Sequence, residues 1–152
     1  MAVADRLAEL GLVLPDVAAP AGSYVSAVAT GDLVFTAGQL PFIDGELART
    51  GLLGLDVEVE EAADLAATAA LNALAAVAAL LGGLDRVVRI VKVTGFVASA
   101  PGFTQQPAVI NGASNLLVDV FGEHGRHARS AVGVAALPLG SPVEVELVVQ
   151  FR

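Results

Sequence analysis

A long amphipathic helix is predicted from about Asp56 to Leu81, and it narrows the folds that this chain can adopt. Acidic residues at positions 56, 58, 60 and 61 open the segment, and two glycines follow its end. Acids favour the partly positive N-terminus of a helix, and glycine commonly follows its C-terminus. One face carries Leu71, Leu74, Ala78 and Leu81; a polar stripe elsewhere carries Asp64, Thr68 and Asn72. The pattern therefore predicts a helix with one apolar face packed on a sheet.

The same segment contains the longest apolar tract of the chain, residues 66–83, which raises the question of a membrane span. The tract is mostly alanine, contains Asn72 and ends in two glycines. A spanning helix needs about 20 predominantly apolar residues of higher hydrophobicity. We therefore expect no contact with a membrane.

Strands are predicted on both sides of this helix, and a second helix follows it. The strands are 24–29, 33–37, 86–98, 128–136 and 143–151, and the second helix runs from Phe103 or Pro107 to Phe121. The order ββαβαββ, without a repeat or a linker, predicts one α+β domain over residues 1–152, with residues 1–22 as an N-terminal extension. Two helices would cover one face of a mixed sheet, and a partner subunit could cover the other.

Composition excludes several classes of function. The net charge of −8 disfavours binding to nucleic acid, because such a chain repels phosphate backbones. The absence of cysteine excludes thiol nucleophiles and thiolate metal sites. His124 and His127 have no recognised ligand spacing, so we expect two exposed loop histidines, and neither a metal nor a cofactor is predicted. The N-terminus lacks the basic region of a signal peptide, which makes the cytoplasm the expected compartment.

Three motifs resemble those of one known family. "TAGQLP" begins at Thr36, "ARSAV" begins at Ala128, and "ALPLGSPVEVE" begins at Ala136. They resemble the Rid family of reactive intermediate deaminases, also called the YjgF family, which older descriptions name endoribonuclease L-PSP or translation inhibitor. The likeness covers nearly the whole chain after Tyr24, and the longer N-terminus resembles that of a longer-chain subgroup.

The resemblance implies a fold, an assembly and a reaction. The fold is chorismate-mutase-like, and the assembly is a homotrimer whose sheets face inward and whose three clefts lie between subunits. The reaction is hydrolysis of 2-imino or enamino acids to 2-oxo acids and ammonia. A trimer that only binds small carboxylate metabolites in the same cleft is the alternative; an endoribonuclease ranks last because of the charge.

Two residues carry the chemistry that the resemblance implies. Arg129 matches the arginine that binds the substrate carboxylate, a task suited to a planar, permanently charged guanidinium. From the residues alone, a structural arginine in an ion pair or a subunit contact is favoured, because buried arginines are usually paired. Glu144 matches the glutamate that holds the attacking water and accepts its proton. From the residues alone, Glu144 and Glu146 can also mark the solvent side of an alternating strand.

Four further residues match positions that line the family's cleft. Tyr24 would reach the ligand from the neighbouring subunit, Gly38 would let the backbone approach it, and Asn111 and Ala131 would complete the substrate contacts. Ala131 stands where family members often have cysteine, and Ala37 where they often have serine. Two polar groups are therefore missing, and a larger or more apolar substrate than the usual one is expected.

The relation between Arg129 and Glu144 depends on how their two strands pair. A wide loop over 134–141 would place Glu144 opposite Ala131 in an antiparallel hairpin. We expect this loop, because Pro138 and Pro142 both resist central positions in a sheet. Arg129 and Glu144 could then meet within one chain if their side chains share a sheet face.

Overall fold

The computed structural model describes residues 1–152 and contains three helices and seven strands. The helices are α1 (Val3–Glu9), α2 (Val59–Leu81) and α3 (Gln106–Phe121); the strands are β1 (Ala27–Thr30), β2 (Leu33–Thr36), β3 (Phe42–Ile43), β4 (Glu46–Leu47), β5 (Val87–Ala98), β6 (Ala128–Val134) and β7 (Val143–Phe151). Five strands form a mixed sheet in the order β1-β2-β7-β5-β6, and β3 and β4 form a separate hairpin. The α+β class is confirmed.

Helix α2 ends where the local sequence signals predict. Gly82 adopts the left-handed conformation at φ 78°, and its N–H donates to the carbonyl oxygen of Ala78, which closes the helix. Glu60 and Glu61 occupy the first turn. Helices α2 and α3 pack on one face of the sheet and bury its central rows, among them Val34, Ile90 and Val149. The predicted pair of helices on one sheet face is confirmed, and α1 packs at the edge of α3.

Small residues allow α2 and α3 to lie unusually close together. A Cβ atom added to Gly112 of α3 would overlap the backbone carbonyl oxygen of Ala63 in α2. Ala62, Ala66 and Ala113 lie in the same core and are fully buried. Because no side chain stands between the two backbones at Gly112, this glycine sets the distance between the helices.

By length and composition, α2 is long and apolar enough to cross a membrane. The tract of residues 66–83 was expected to be too short and too weakly hydrophobic for a confident span; the whole helix, of 23 residues, is longer than that tract. In its most apolar window, 61% of the residues are buried inside the chain, as in the core helix of a globular domain. The length and apolar composition of α2 are therefore weak evidence for a span.

Strands β6 and β7 do not form the predicted hairpin. Strand β5 lies between them, antiparallel to β7 and parallel to β6, so β6 is an edge strand. The chain reaches β6 from β5 through α3, which is the usual crossover between parallel strands. Glu144 pairs with Phe96, which in turn pairs with Val132, so Glu144 does not lie opposite Ala131.

No helix of the chain covers the second face of the sheet. Val28 and Phe35 pair across β1 and β2 on this face and are 52% and 45% exposed. Val132 of β6 is 44% exposed and shares a row of the ladder with Glu144. We call this side the open face.

Candidate functional site

Glu144 lies on the open face in contact with the chain segment that follows β2. A Cβ atom at Gly38 would stand 2.6 Å from Oε1 of Glu144, so glycine is needed there for the close approach. Both residues line a small cavity of about 70 Å³ together with Tyr24, Ser26 and Pro138. About 10–15 Å³ of accessible space is enough to hold one water, so this volume is ample. The carboxylate therefore faces a space that can hold water.

Tyr24 lies on the same side as Glu144, but it is not part of a strand. Strand β1 begins at Ala27, three residues later than the sequence pattern predicted. The Tyr24 hydroxyl accepts a hydrogen bond from the backbone N–H of Ala21 at 3.1 Å, and the residue is 49% exposed. Tyr24, Gly38 and Glu144 of one chain thus form the first half of the candidate site.

The environment of Glu144 favours its protonated form. Burial raises the pKa of this half-buried carboxyl, and the negative charge of Glu146, two residues along the same strand face, raises it further. No hydrogen bond or ion pair within the chain holds the Glu144 carboxylate. A carboxyl with a raised pKa and no partner suits a group that accepts a proton from water.

The Glu146→Gln substitution is expected to lower the pKa of Glu144, because it removes the neighbouring negative charge and leaves the burial unchanged. Carboxyl carbon chemical shifts, followed by NMR as the pH is varied, would measure the pKa of Glu144 in the parent and in the variant. Because the folded pKa is raised, Glu144 stabilises the fold fully only below its unfolded pKa, and this contribution is lost as pH rises through the folded pKa. An unchanged titration in the variant would mean that burial alone sets the pKa.

Arg129 lies on the opposite face, against α3. Its Nη1 donates to Oδ1 of Asn111 at 2.8 Å and to Oγ of Ser114 at 3.2 Å. The three ion pairs of the chain do not include Arg129, which contradicts the ion-pair alternative within the chain. Nε and Nη2 donate no hydrogen bond within the chain, and together they form one edge of the guanidinium. Such an edge can bind a carboxylate through two parallel hydrogen bonds.

His127 supports this arginine and is not the exposed loop residue that the spacing predicted. Its Nδ1 lies 2.6 Å from the carbonyl oxygen of Gly125, which assigns the proton to Nδ1, and its Nε2 lies 2.9 Å from Oγ of Ser114. Burial lowers the pKa of His127; the Gly125 hydrogen bond opposes this, and the charge of Arg129 lowers the pKa further. A neutral His127 therefore accepts from Ser114, whose oxygen in turn accepts from Arg129. His124 lies exposed in the turn 122–125, as expected.

Sequence reasoning missed Ser114 and assigned no role to His127. Its position could have identified His127, because it directly precedes β6 and an extended chain brings side chains two residues apart, here His127 and Arg129, to one side. Ser114 lies one helical turn after Asn111 on α3, a spacing that brings both side chains to one target. Ala131 lies two residues after Arg129 on the same face of β6, pairs with Gly95 and packs against the core. Arg129, Asn111, Ser114 and His127 form the second half of the candidate site.

The two halves do not meet within one chain. Arg129 belongs to the row of Val93 and Leu147, which are buried under the helices, whereas Glu144 belongs to the row of Phe96. The two residues point to opposite sheet faces and are separated by two strand spacings and three residues along the strand, or roughly 14 Å between backbone positions. Arg129 and Glu144 therefore do not share a sheet face, which a site within one chain would require.

Known proteins resemble this chain along nearly its whole length. A family model described as "YjgF/chorismate mutase-like, putative endoribonuclease" matches residues 4–151. The TCP17 protein of Trypanosoma cruzi is 50% identical over 151 residues, covering 99% of this chain and 94% of its own.

Two solved structures show how the fold compares. A protein of unknown function from Agrobacterium tumefaciens is 46% identical, has a TM-score of 0.92, and is matched over 99% of this chain and 92% of its own. RidA from the Antarctic bacterium Psychrobacter is 29% identical, with a TM-score of 0.62 over 90% of this chain and 94% of its own. The structure of this chain is thus closer to the Agrobacterium protein than to RidA.

Proposed function

The chain belongs to the YjgF/Rid family, and on that basis we propose that it hydrolyses 2-imino or enamino acids to 2-oxo acids and ammonia in a cleft between subunits. The observation that carries the proposal is the free edge of the Arg129 guanidinium. A half-buried arginine usually has a carboxylate partner, and this one has only neutral side chains around it. An anionic ligand would complete its contacts.

The reacting water belongs to the other half of the site. Glu144 faces a cavity that can hold water and has a raised pKa, which suits a general base near neutral pH. Water adds to the imine carbon while Glu144 accepts one of its protons and passes it to the imine nitrogen, which gives a carbon bearing both hydroxyl and amino groups. Glu144 then accepts the hydroxyl proton and passes it to the amino nitrogen, so that ammonia leaves as the C–N bond breaks and the C=O bond forms. The sum is imine plus water to oxo acid plus ammonia.

A second copy of the chain is needed to join the halves. Arg129 lies on an edge strand, and Glu144 lies on the open face, whose exposed residues include Val28 and Phe35. Packing of one chain's β6 edge beside the open face of another would bring Arg129 of one copy near Glu144 of the next. This arrangement accounts for the opposite orientation of the two side chains and for the exposed apolar residues.

The homotrimer predicts a mass in solution of three times the 15.3 kDa chain. Multi-angle light scattering over a range of concentrations measures this mass directly. A stable monomer at the concentrations used for assay would remove the cleft between subunits, and the proposed reaction with it.

The reaction is tested with 2-iminopropanoate generated in the cuvette by a pyridoxal-phosphate enzyme acting on serine. We expect this protein to accelerate both the loss of the imine and the appearance of pyruvate. The Glu144→Gln variant should lose most of the acceleration, by roughly 10²-fold or more, because the water then has no base. Glu146→Gln is the comparison: it removes a charge on the same strand face but keeps the base, so it should keep most of the activity, with the pH profile shifted to lower pH as the pKa of Glu144 falls.

A trimer that only binds small carboxylates is the second candidate. It is favoured by Ala131 and Ala37, where polar side chains of many family members are missing. Benzoate binding that depends on Arg129, without acceleration of the imine loss over buffer, would establish the binder and exclude the deaminase. Both roles place the same anion at the same guanidinium.

A further inference from the structure

A second cavity of the chain lies outside the site described above. Its volume is about 480 Å³, and it lies between the N-terminal connector, the β3–β4 hairpin and helix α2. It shares Ala18, Ala19 and Phe42 with the small cavity at Glu144, so the two are neighbours. None of its nine lining residues is basic.

Asn72 of α2 supplies the polar group at the floor of this cavity. Asn72 is only 2% exposed, and its Nδ2 donates to the carbonyl oxygens of Leu40 at 2.9 Å and Phe42 at 3.1 Å. Because both partners are acceptors, they fix the orientation of the amide group. Its Oδ1 accepts no hydrogen bond within the chain. Every fully buried side-chain oxygen of the chain has a hydrogen-bond partner, so this unpartnered oxygen is not fully buried. The oxygen therefore has access to the cavity that Asn72 lines.

Two carboxylates stand at the opening. Asp16 of the connector and Asp44 of the β3–β4 turn line the cavity and are exposed to solvent. Asp44 and Gly45 both have positive φ values, of 52° and 80°, as a tight two-residue hairpin turn requires. With two acids and no base in the lining, the electrostatic potential in the cavity is negative.

The remaining wall is apolar. Its lining includes Pro15, Val17, Ala18 and Ala19 of the connector and Phe42 of β3. A ligand that matches this wall has an apolar body, and one that matches the floor and opening has a positively charged hydrogen-bond donor. A bare metal ion would leave the apolar wall unused, and an anion would be repelled.

We propose that this cavity binds a small primary amine as its ammonium ion, with the nitrogen donating to Oδ1 of Asn72 and the apolar body against Phe42 and Val17. Asp16 and Asp44 attract the charge at the opening. The site is distinct from the Arg129 anion site, and the proposal does not depend on the reaction proposed above.

Benzylamine and benzoate are matched probes, since they carry opposite charges on the same ring. Amide chemical shifts of the full chain, followed by NMR at pH 7, should show saturable benzylamine binding at Val17, Asp44 and Gly45, which line this cavity and not the small cavity at Glu144. Benzyl alcohol, which lacks the charge, should bind at least about tenfold more weakly. Benzoate should leave these three amides unshifted and should not compete with benzylamine.

Two variants separate the contributions of the floor and the opening. The D16N/D44N double variant should weaken benzylamine binding roughly tenfold. Asparagine keeps the turn at position 44 because it tolerates positive φ. The D64N/D119N variant, which removes two exposed acids of α2 and α3 outside the cavity lining, should bind as the parent does. Asn72→Leu should abolish binding, provided that its amide spectrum remains that of a folded chain.

Several results would overturn the proposal. They are the absence of saturable shifts at these amides, equal affinity for benzyl alcohol, and unchanged affinity in D16N/D44N. Calcium chloride that shifts the same amides and displaces benzylamine would instead identify a metal-ion site. If Asn72→Leu does not fold, the D16N/D44N result alone decides.

Discussion

The Arg129→Ala variant is expected to lose imine hydrolysis to the level of the buffer reaction. In the proposed reaction, the guanidinium offers Nε and Nη2 to the substrate carboxylate, and each charge-assisted hydrogen bond contributes about 1.5–3 kcal/mol. Loss of two such bonds corresponds to at least about 10²-fold in kcat/KM. Initial rates with 2-iminopropanoate, over a range of its concentration, measure this loss.

Arg129→Lys separates the effect of charge from that of geometry, because lysine keeps the charge but cannot form two parallel hydrogen bonds. We expect it to recover only a small part of the activity. Arg126→Ala is the matched control: Arg126 lies three residues earlier, pairs only with the exposed Glu123 and is 70% exposed. Full activity in Arg129→Ala would disprove the assignment of the carboxylate site, whatever the reaction turns out to be.

The Gly112→Ala variant is expected to destabilise the fold by about 2–3 kcal/mol, the usual cost of overfilling a core. In an ordinary helix interior, the same change stabilises by about 1 kcal/mol, because alanine has the higher helix propensity. Here the added methyl group would overlap the carbonyl oxygen of Ala63, which is backbone and can move only with α2. The sign of the effect therefore separates helix packing from helix propensity.

Unfolding in urea, at one fixed protein concentration, measures the change in free energy; the fixed concentration matters because subunit association adds to stability. Asn115→Ala is the control, since Asn115 is exposed on the same helix and should be neutral or slightly stabilising. An increase in stability for Gly112→Ala would mean that α2 and α3 can separate at little cost.

Helix α2 and strand β7 were predictable because their signals are local. Acids at the first turn, a glycine at the end and regular alternation in Val143–Phe151 each act within a few residues. The pairing of β6 was missed for the opposite reason. Consecutive strands most often pair, but β6 reaches its partner through α3, and nothing within β6 itself encodes the strand beside it.

The site divides in the same way. The resemblance predicted roles for Arg129 and Glu144, and those roles stay predictions; that the two side chains lie on opposite faces follows from their pairing positions across β5, which only the completed sheet defines. His127 and Asn72 were missed because their roles depend on contacts with Ser114 and with the carbonyl of Leu40, 13 and 32 residues away in the chain. From sequence alone such polar residues are predicted to be exposed to solvent, because their contacts are known only once the fold is known.

The opposite orientation of Arg129 and Glu144 has a genetic consequence. In the proposed trimer, a copy that lacks the arginine still offers an intact glutamate to one neighbour, and a copy that lacks the glutamate still offers an intact arginine. Two defective alleles, each of which gives an inactive protein alone, would therefore complement each other when expressed together. With random mixing of equal amounts, about one cleft in four would hold both residues. A cell carrying both alleles would recover part of the function that neither allele supplies.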